Sequence, residues 1–369
     1  MMMNLIQFSE KENKFLISAV NFLLKKPKNI LIIRLSAMGD VAMMIPVLRV
    51  FSKTYPEIQL TIVSRVFFKP FFEDFKNLSF IEADPENKHK GIKGLLKLFK
   101  KINSLNIDAV ADLHNVIRSK ILTKLLKFNG KKVSTLHKGR KEKKSLTRTS
   151  HKTFEQLKTT HQRYADVFES FGCPIDLGSF EPFSKKKIDH ENINNLFTNA
   201  KKVIGIAPFA AYKSKMYPLE LTEKVIEHFS HKKEFQIVLF GGGQIEINKL
   251  TQIIKKYPNV INAAGKFKLR EELALISNLD LMVSMDSGNG HLAAIYGVPV
   301  VTLWGVTHPY LGFAPFGQPH LNSLTANRQK FPLIPTSVYG NKYPKNYEDA
   351  MNSIPPLDVI NKISAILID

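Results

Sequence analysis

The chain has 369 residues, 44% of them hydrophobic, a formal net charge of +21 and a single cysteine. That length and apolar share suit two folded domains with buried cores, and one cysteine excludes an internal disulfide and any need for an oxidising compartment. The positive excess points to anionic partners, whether nucleic acid, an acidic membrane face or phosphorylated substrates, and no apolar run approaches the roughly 20 residues of a membrane span.

The opening residues lack the basic start, apolar stretch and small-residue site of a signal peptide, so cytoplasmic residence is expected. Phe15, Ile17, Val20, Phe22, Leu23 and Leu24, beside Lys25, Lys26 and Lys28, read as a helix docked on the first domain. An amphipathic helix resting on anionic lipid is the alternative. From Asn29 onward apolar runs alternate with helix-like stretches. Strands are expected at 29–35, 59–63, 80–83, 109–113 and 132–134, and helices at 41–55, 91–105, 118–128 and 160–171. The segment Lys131 to Arg148 carries eight Lys or Arg and one acid in eighteen residues, and is expected as an exposed loop.

A linker is expected at Leu177 to Lys187, and the rhythm then repeats. Strands fall at 202–207, 235–240 and 260–262, with helices at 219–229, 246–256 and 269–277. Leu279 to Gly305, LDLMVSMDSGNGHLAAIYGVPVVTLWG, follows as strand, polar Gly-rich turn, short helix, strand. Such a turn feeding a helix offers unpaired backbone N–H groups and a positive dipole end to a phosphate or diphosphate. The proline-rich tail is irregular until a final helix at about 357–368, expected to cross back onto the first domain.

GxGxxG, GxxxxGK[ST], HExxH and CxxC are all absent, which disfavours a nicotinamide dehydrogenase, a P-loop enzyme and a metal centre. Asp40 falls where the first strand gives way to a helix, at the edge facing the expected cleft. It is either a general base or a helix N-cap. Asp286 and Ser287 carry the same ambiguity, and His291 is either a polar helix residue or a phosphate or ribose contact. The basic segment is either a solvated surface or an attractor of an acidic partner's phosphates or carboxylates. It has no aromatic residue among its bases, which weakens nucleic-acid binding.

Four segments in order resemble the ADP-heptose lipopolysaccharide heptosyltransferases, glycosyltransferase family 9. They are RLSAMGDVAMMIPVLRVFSKTYPE at Arg34 to Glu57, KSKMYP at Lys213 to Pro218, FGGGQIE at Phe240 to Glu246, and the long stretch from Ala263 to Gly317. The resemblance implies an α/β GT-B fold: two facing Rossmann-like domains with parallel sheets and a central cleft. An acceptor domain would occupy residues 1–180, a donor domain 188–345, and the returning helix 346–369. It implies an inverting transfer needing neither cofactor nor metal. The donor would be a nucleotide sugar, ADP-heptose, and the acceptor an acidic glycolipid of the lipid A and Kdo type. The enzyme would contact the inner membrane face peripherally and bind no nucleic acid.

Carried over by position, Asp40 resembles the catalytic base. Lys215 resembles the lysine on the donor diphosphate, Asp286, Ser287, Gly288 and His291 match the donor phosphate loop, and Glu246 resembles an acidic ribose ligand. Lys138, Arg140 and Lys143 are the expected acceptor contacts. Tyr217 stands where the family carries Trp, and Asn289 and Gly290 replace the usual Pro/Thr-Met. Another GT-B nucleotide-sugar enzyme, such as an epimerase, and a non-catalytic basic binding protein are the alternatives.

Overall fold

The computed structural model describes residues 26–188 and 202–368; the expected amphipathic segment at 15–24 lies outside them. Five parallel strands form the first sheet: β1 (Asn29–Ile33), β2 (Gln59–Ser64), β3 (Leu78–Glu82), β4 (Ala109–Asp112) and β5 (Lys132–Thr135), in the order β3-β2-β1-β4-β5. β1 is apolar on both faces because both are covered, as parallel sheets require. Ile30 and Ile32 join the core beneath α1 (Met38–Thr54), while Leu31 and Ile33 point to α2 (Gly91–Asn103) and α3 (Ile117–Phe128). On α2, Leu95, Leu98 and Ile102 repeat at helical spacing and are buried, leaving its lysines outside.

The segment expected as an exposed loop is corrected by the structure. It begins with β5, the strand expected at 132–134, and then forms α4 (Arg140–Thr147), a helix on which Lys143 and Leu146 are buried. The helix forms because Leu146 enters the core and the Lys143 ammonium sits 3.9 Å from the Phe313 ring centroid, while Glu142 pairs with Arg163. From α4 the chain runs as an extended strap along the second half of the molecule. Lys152 Nζ donates to the Pro335 carbonyl at 2.7 Å, and the Leu157 and Thr160 amides donate to the Tyr310 and Gly312 carbonyls at 2.9 and 2.8 Å. It then enters α5 (Thr160–Glu169) on the first sheet.

The second sheet is also parallel, in the order β11-β10-β9-β6-β7-β8. Its strands are β6 (Lys202–Ala207), β7 (Phe235–Leu239), β8 (Val260–Asn262), β9 (Leu281–Met285), β10 (Val300–Trp304) and β11 (Ser323–Thr325), the last lying in the tail expected to be irregular. Its helices are α6 (Leu219–Ser230), α7 (Gln244–Lys256), α8 (Leu269–Ser277), α9 (Gly288–Ile295) and α10 (Pro356–Ile368). The expected return of the last helix to the first domain is corrected: α10 packs on α6, β9 and β10. Its Val359 and Ile363 fill the second core with Val225, Ile226 and Leu303. The preceding tail is already held there, since the Gly340 carbonyl accepts from Ser214.

The two α/β units face one another, as the resemblance implied, and one apolar core runs across both. Phe51 and Phe168 of the first share it with Leu269, Leu273 and Leu292 of the second. The expected linker crosses on this core, with the Phe183 amide donating to the Ile295 carbonyl at 3.1 Å and the Lys186 amide to Ser277 Oγ at 2.9 Å.

Candidate functional site

At the carboxyl end of β1 the chain turns through Arg34 to Ala37 into α1. The N-cap is Ala37, which has no side-chain acceptor, so the N-cap reading of Asp40 is corrected: Asp40 is the third helical residue. Its carboxylate accepts the Ala37 amide at 3.4 Å and is ion-paired with Arg34. Both contacts fall on Oδ2, and among the described residues Oδ1 has no partner. Arg34 is nearly buried and also donates Nη1 to the Leu113 carbonyl at 2.6 Å, which holds the ion pair in place. The Tyr164 hydroxyl donates to the Asp40 carbonyl at 3.3 Å.

Asp40 opens onto a cleft of about 400 Å³. Arg34, Lys138, Arg140, Lys143, Lys144 and Arg163 line it, with Asp40 the single acid. The second unit closes it with Phe313, Val338 and Tyr339. Burial, together with the Arg163 charge, pushes the Lys143 ammonium down to about 8, and burial lowers Lys138 as well. Arg34 and Arg163 are paired with Asp40 and Glu142, and the remaining cations give the cleft a positive potential suited to a polyanion.

Across from Asp40, β9 ends at Met285 and α9 begins at Gly288. The intervening Asp286 is almost buried. Its Oδ2 accepts from Lys215 Nζ at 2.8 Å and from Thr307 Oγ1 at 2.9 Å. Lys215 is carried by a short 3-10 turn, Lys213–Lys215, pressed against Gly305, where any Cβ would lie 2.1 Å from the Ser214 carbonyl oxygen. Ser287 is the α9 N-cap, yet its side chain makes no capping bond and its Oγ is buried without a partner. His291 Nδ1 is likewise buried and unpartnered, and burial pushes this ring down to about 4, so it is neutral at pH 7. Both atoms are thereby free to bond an anion placed at this helix start.

The two helix starts meet. A Cβ on Gly39 would stand 3.4 Å from His291 Cδ2 and 3.5 Å from the Gly288 Cα. The structure thereby gathers Asp40 with Gly288 and His291, joins Asp286 to Lys215, and lines the Asp40 cleft with Lys138, Arg140 and Lys143. Glu246 stands apart from these contacts. It lies in the first turn of α7 with Oε2 accepting the Gly242 amide at 2.8 Å.

Arg34, Arg163, Tyr164, Thr307, Phe313 and Tyr339 belong to the site without having been singled out in the sequence. Only Arg34 left a signal there, as a charge at the end of an apolar strand.

A family model described as glycosyltransferase family 9 (heptosyltransferase) matches residues 95–344. The lipopolysaccharide core heptosyltransferase OpsX of Haemophilus influenzae is 27% identical over 298 residues, covering 79% of this chain and 82% of the relative. Among solved structures, a glycosyl transferase family 9 protein from Veillonella parvula has a TM-score of 0.71 at 22% identity, covering 92% of this chain and 97% of that one. The E. coli heptosyltransferase WaaC with ADP has a TM-score of 0.65 at 19% identity, covering 92% and 99%. At these identities the two structures show a shared fold.

Proposed function

Because the chain belongs to glycosyltransferase family 9, the heptosyltransferases, we propose that it transfers heptose from ADP-heptose to an acidic lipopolysaccharide core acceptor, with inversion and without a metal. The observation that carries this reading is Asp40: the single carboxylate of a six-cation cleft, its Oδ1 without a partner among the described residues, one residue from the contact with the α9 start.

The acceptor lies on the first unit, residues 1–180, with its acidic groups against Lys138, Arg140 and Lys143. The donor lies on the second, residues 188–345. Asp40 Oδ1 takes the proton of the acceptor hydroxyl as that oxygen attacks the anomeric carbon from the face opposite the diphosphate. The bond from that carbon to the diphosphate oxygen breaks, and ADP leaves carrying the electron pair. Lys215, held by Asp286, and the amides at the start of α9 stabilise the charge that develops on it. Neutral His291 offers an N–H to the same phosphates, Ser287 Oγ provides a second donor, and Glu246 binds the ribose.

Relatives named for lipopolysaccharide and lipooligosaccharide heptosyl transfer support both substrates. A bound ADP-2-deoxy-2-fluoro heptose in E. coli WaaC supports the donor. Among the described residues no helix is long and apolar enough to cross a membrane. The protein works in the cytoplasm, meeting its lipid-borne acceptor at the inner membrane face by charge and surface contact.

Incubation with ADP-heptose and a Kdo-bearing lipid A acceptor should release ADP, undiminished by EDTA, and give a product of inverted anomeric configuration. No ADP release from that pair would sink the reading; retention of configuration would remove the single-displacement mechanism.

A further inference from the structure

Strand order reverses between β1 and β4: the chain proceeds from β1 to β2 and β3 on one side, then crosses to β4 and β5 on the other. The crevice outside the carboxyl ends of strands flanking such a reversal is where open parallel sheets bind ligands. Here it is a space of about 650 Å³ lined by Ser36, residues 114–118, Lys120, Lys138 and Arg140. Four of those residues are cationic and none is acidic. The buried Asp112 beneath is satisfied by the amides of His114 and Asn115 and by Ser119 Oγ, which fixes the turn above it.

Two further features point to an anion. The crevice ends on the start of α3, whose first-turn amides have no intrahelical acceptor and whose N-cap, Val116, supplies no side-chain acceptor. At its base lies His114, only 7% exposed, with Nδ1 lacking any partner and Nε2 meeting Ser36 Oγ at 3.4 Å. Burial and the Arg34 charge push this ring down to about 4, so it is neutral and can donate one N–H. Lys138 and Arg140 line both this crevice and the Asp40 cleft, which makes the two adjoining compartments of one basic surface.

We infer that the β1/β4 crevice holds a phosphate group of the acceptor, remote from the hydroxyl that reacts at Asp40. This rests on the function proposed above. A phosphate matches the four cations and the helix start in charge, and anchoring it there while a second acidic group occupies the Asp40 cleft fixes the acceptor at two points. Two-point binding raises the affinity for the acceptor by making the second contact intramolecular.

The test pairs the acceptor-free enzyme with inorganic phosphate and the working enzyme with its acceptor. Phosphate should shift the His114 ring resonances saturably, and Arg118→Ala/Lys120→Ala, which changes two exposed side chains, should abolish that shift. In steady state the double variant should raise the acceptor KM about tenfold, the combined loss of two exposed charges, with kcat and the donor KM within twofold of wild type. Phosphatase-treated acceptor should give the two proteins the same KM. A His114 ring that ignores phosphate overturns the inference, as does a variant with wild-type acceptor KM in an enzyme that turns over. A treated acceptor that still separates the two proteins overturns the phosphate assignment. An enzyme that releases no ADP at all refutes the proposed function instead, and the phosphate titration distinguishes that case.

Discussion

Replacing Asp40 with Asn is the most direct trial of the proposed chemistry, because the amide keeps the side-chain volume and an acceptor for the Ala37 amide while removing the base. The Arg34 partner is buried at 6% side-chain exposure, whereas Asp40 is 33% exposed. The lost ion pair therefore falls between a surface pair, about 0–1 kcal/mol, and a broken buried pair, about 3–5 kcal/mol. Arg34 also keeps its bond to the Leu113 carbonyl, which places the expected loss near 1–2 kcal/mol. In a chain of this size that lowers Tm by only about 1–3 °C. The variant therefore stays folded at 25 °C, and any loss of turnover reports chemistry. Removing a positioned general base costs about 10²- to 10⁴-fold. ADP release under saturating donor and acceptor should fall by that factor, while calorimetric binding of ADP stays within twofold. A kcat within fivefold of wild type would refute Asp40 as the base. A parallel collapse of ADP binding would mean that the substitution had disturbed the α1–α9 contact.

Lys215→Met leaves the nearly buried Asp286 with only Thr307 as its partner, so stability should fall by about 3 kcal/mol. Lys215→Met/Asp286→Leu should regain most of it, and both variants should lose ADP affinity in calorimetry; a destabilised double variant would argue against the pair. Lys143, pushed down to about 8 by burial and Arg163, should lose its charge as pH rises through 8, so the acceptor KM should climb above that pH and Lys143→Arg should flatten the climb. The same shift makes the unfolded chain bind more protons between pH 8 and 10.5, so the Lys143 contribution to stability improves across that window, and Lys143→Met should remove that slope in denaturant melts. Gly305→Ala forces a Cβ to 2.1 Å from the Ser214 carbonyl, so backbone must move. Tm and ADP affinity should fall together, and unchanged ADP affinity would separate Lys215 placement from this contact.

The β-α rhythm was legible because β1, β4, β9 and β10 are apolar runs bounded by polar turns, a pattern that burial on both faces imposes. The polar turn after β9 was legible for the same reason, since Asp286 interrupts an apolar run. α4 was hidden: RKEKKSLT has one apolar core residue, and its other buried member is the lysine over Phe313, a partner 170 positions away. α10 was visible as a helix but its destination was not, because Val359 and Ile363 state that a face is apolar without saying which core it completes. The Lys215–Asp286 pair and the Arg34–Asp40 pair depend on chain crossings that no local pattern encodes. Resemblance drew attention to three of those four residues, while Arg34 showed in the sequence only as a charge at the end of an apolar strand, with its partner evident only in three dimensions.

The strap at residues 152–160 bears on how the molecule comes apart. It leaves the first sheet, bonds along the loops of the second unit and returns as α5, whose Tyr164 and Phe168 complete the first core. Unravelling the second unit strips the strap of its partners and removes one wall of the shared core, so the first sheet keeps the apolar cluster on its α2–α3 face and loses the cover of the other. The two architectural halves are thus one cooperative unit. Calorimetric and van't Hoff enthalpies should agree in a single transition, and a limited proteolysis cut in the strap should destabilise both sheets at once.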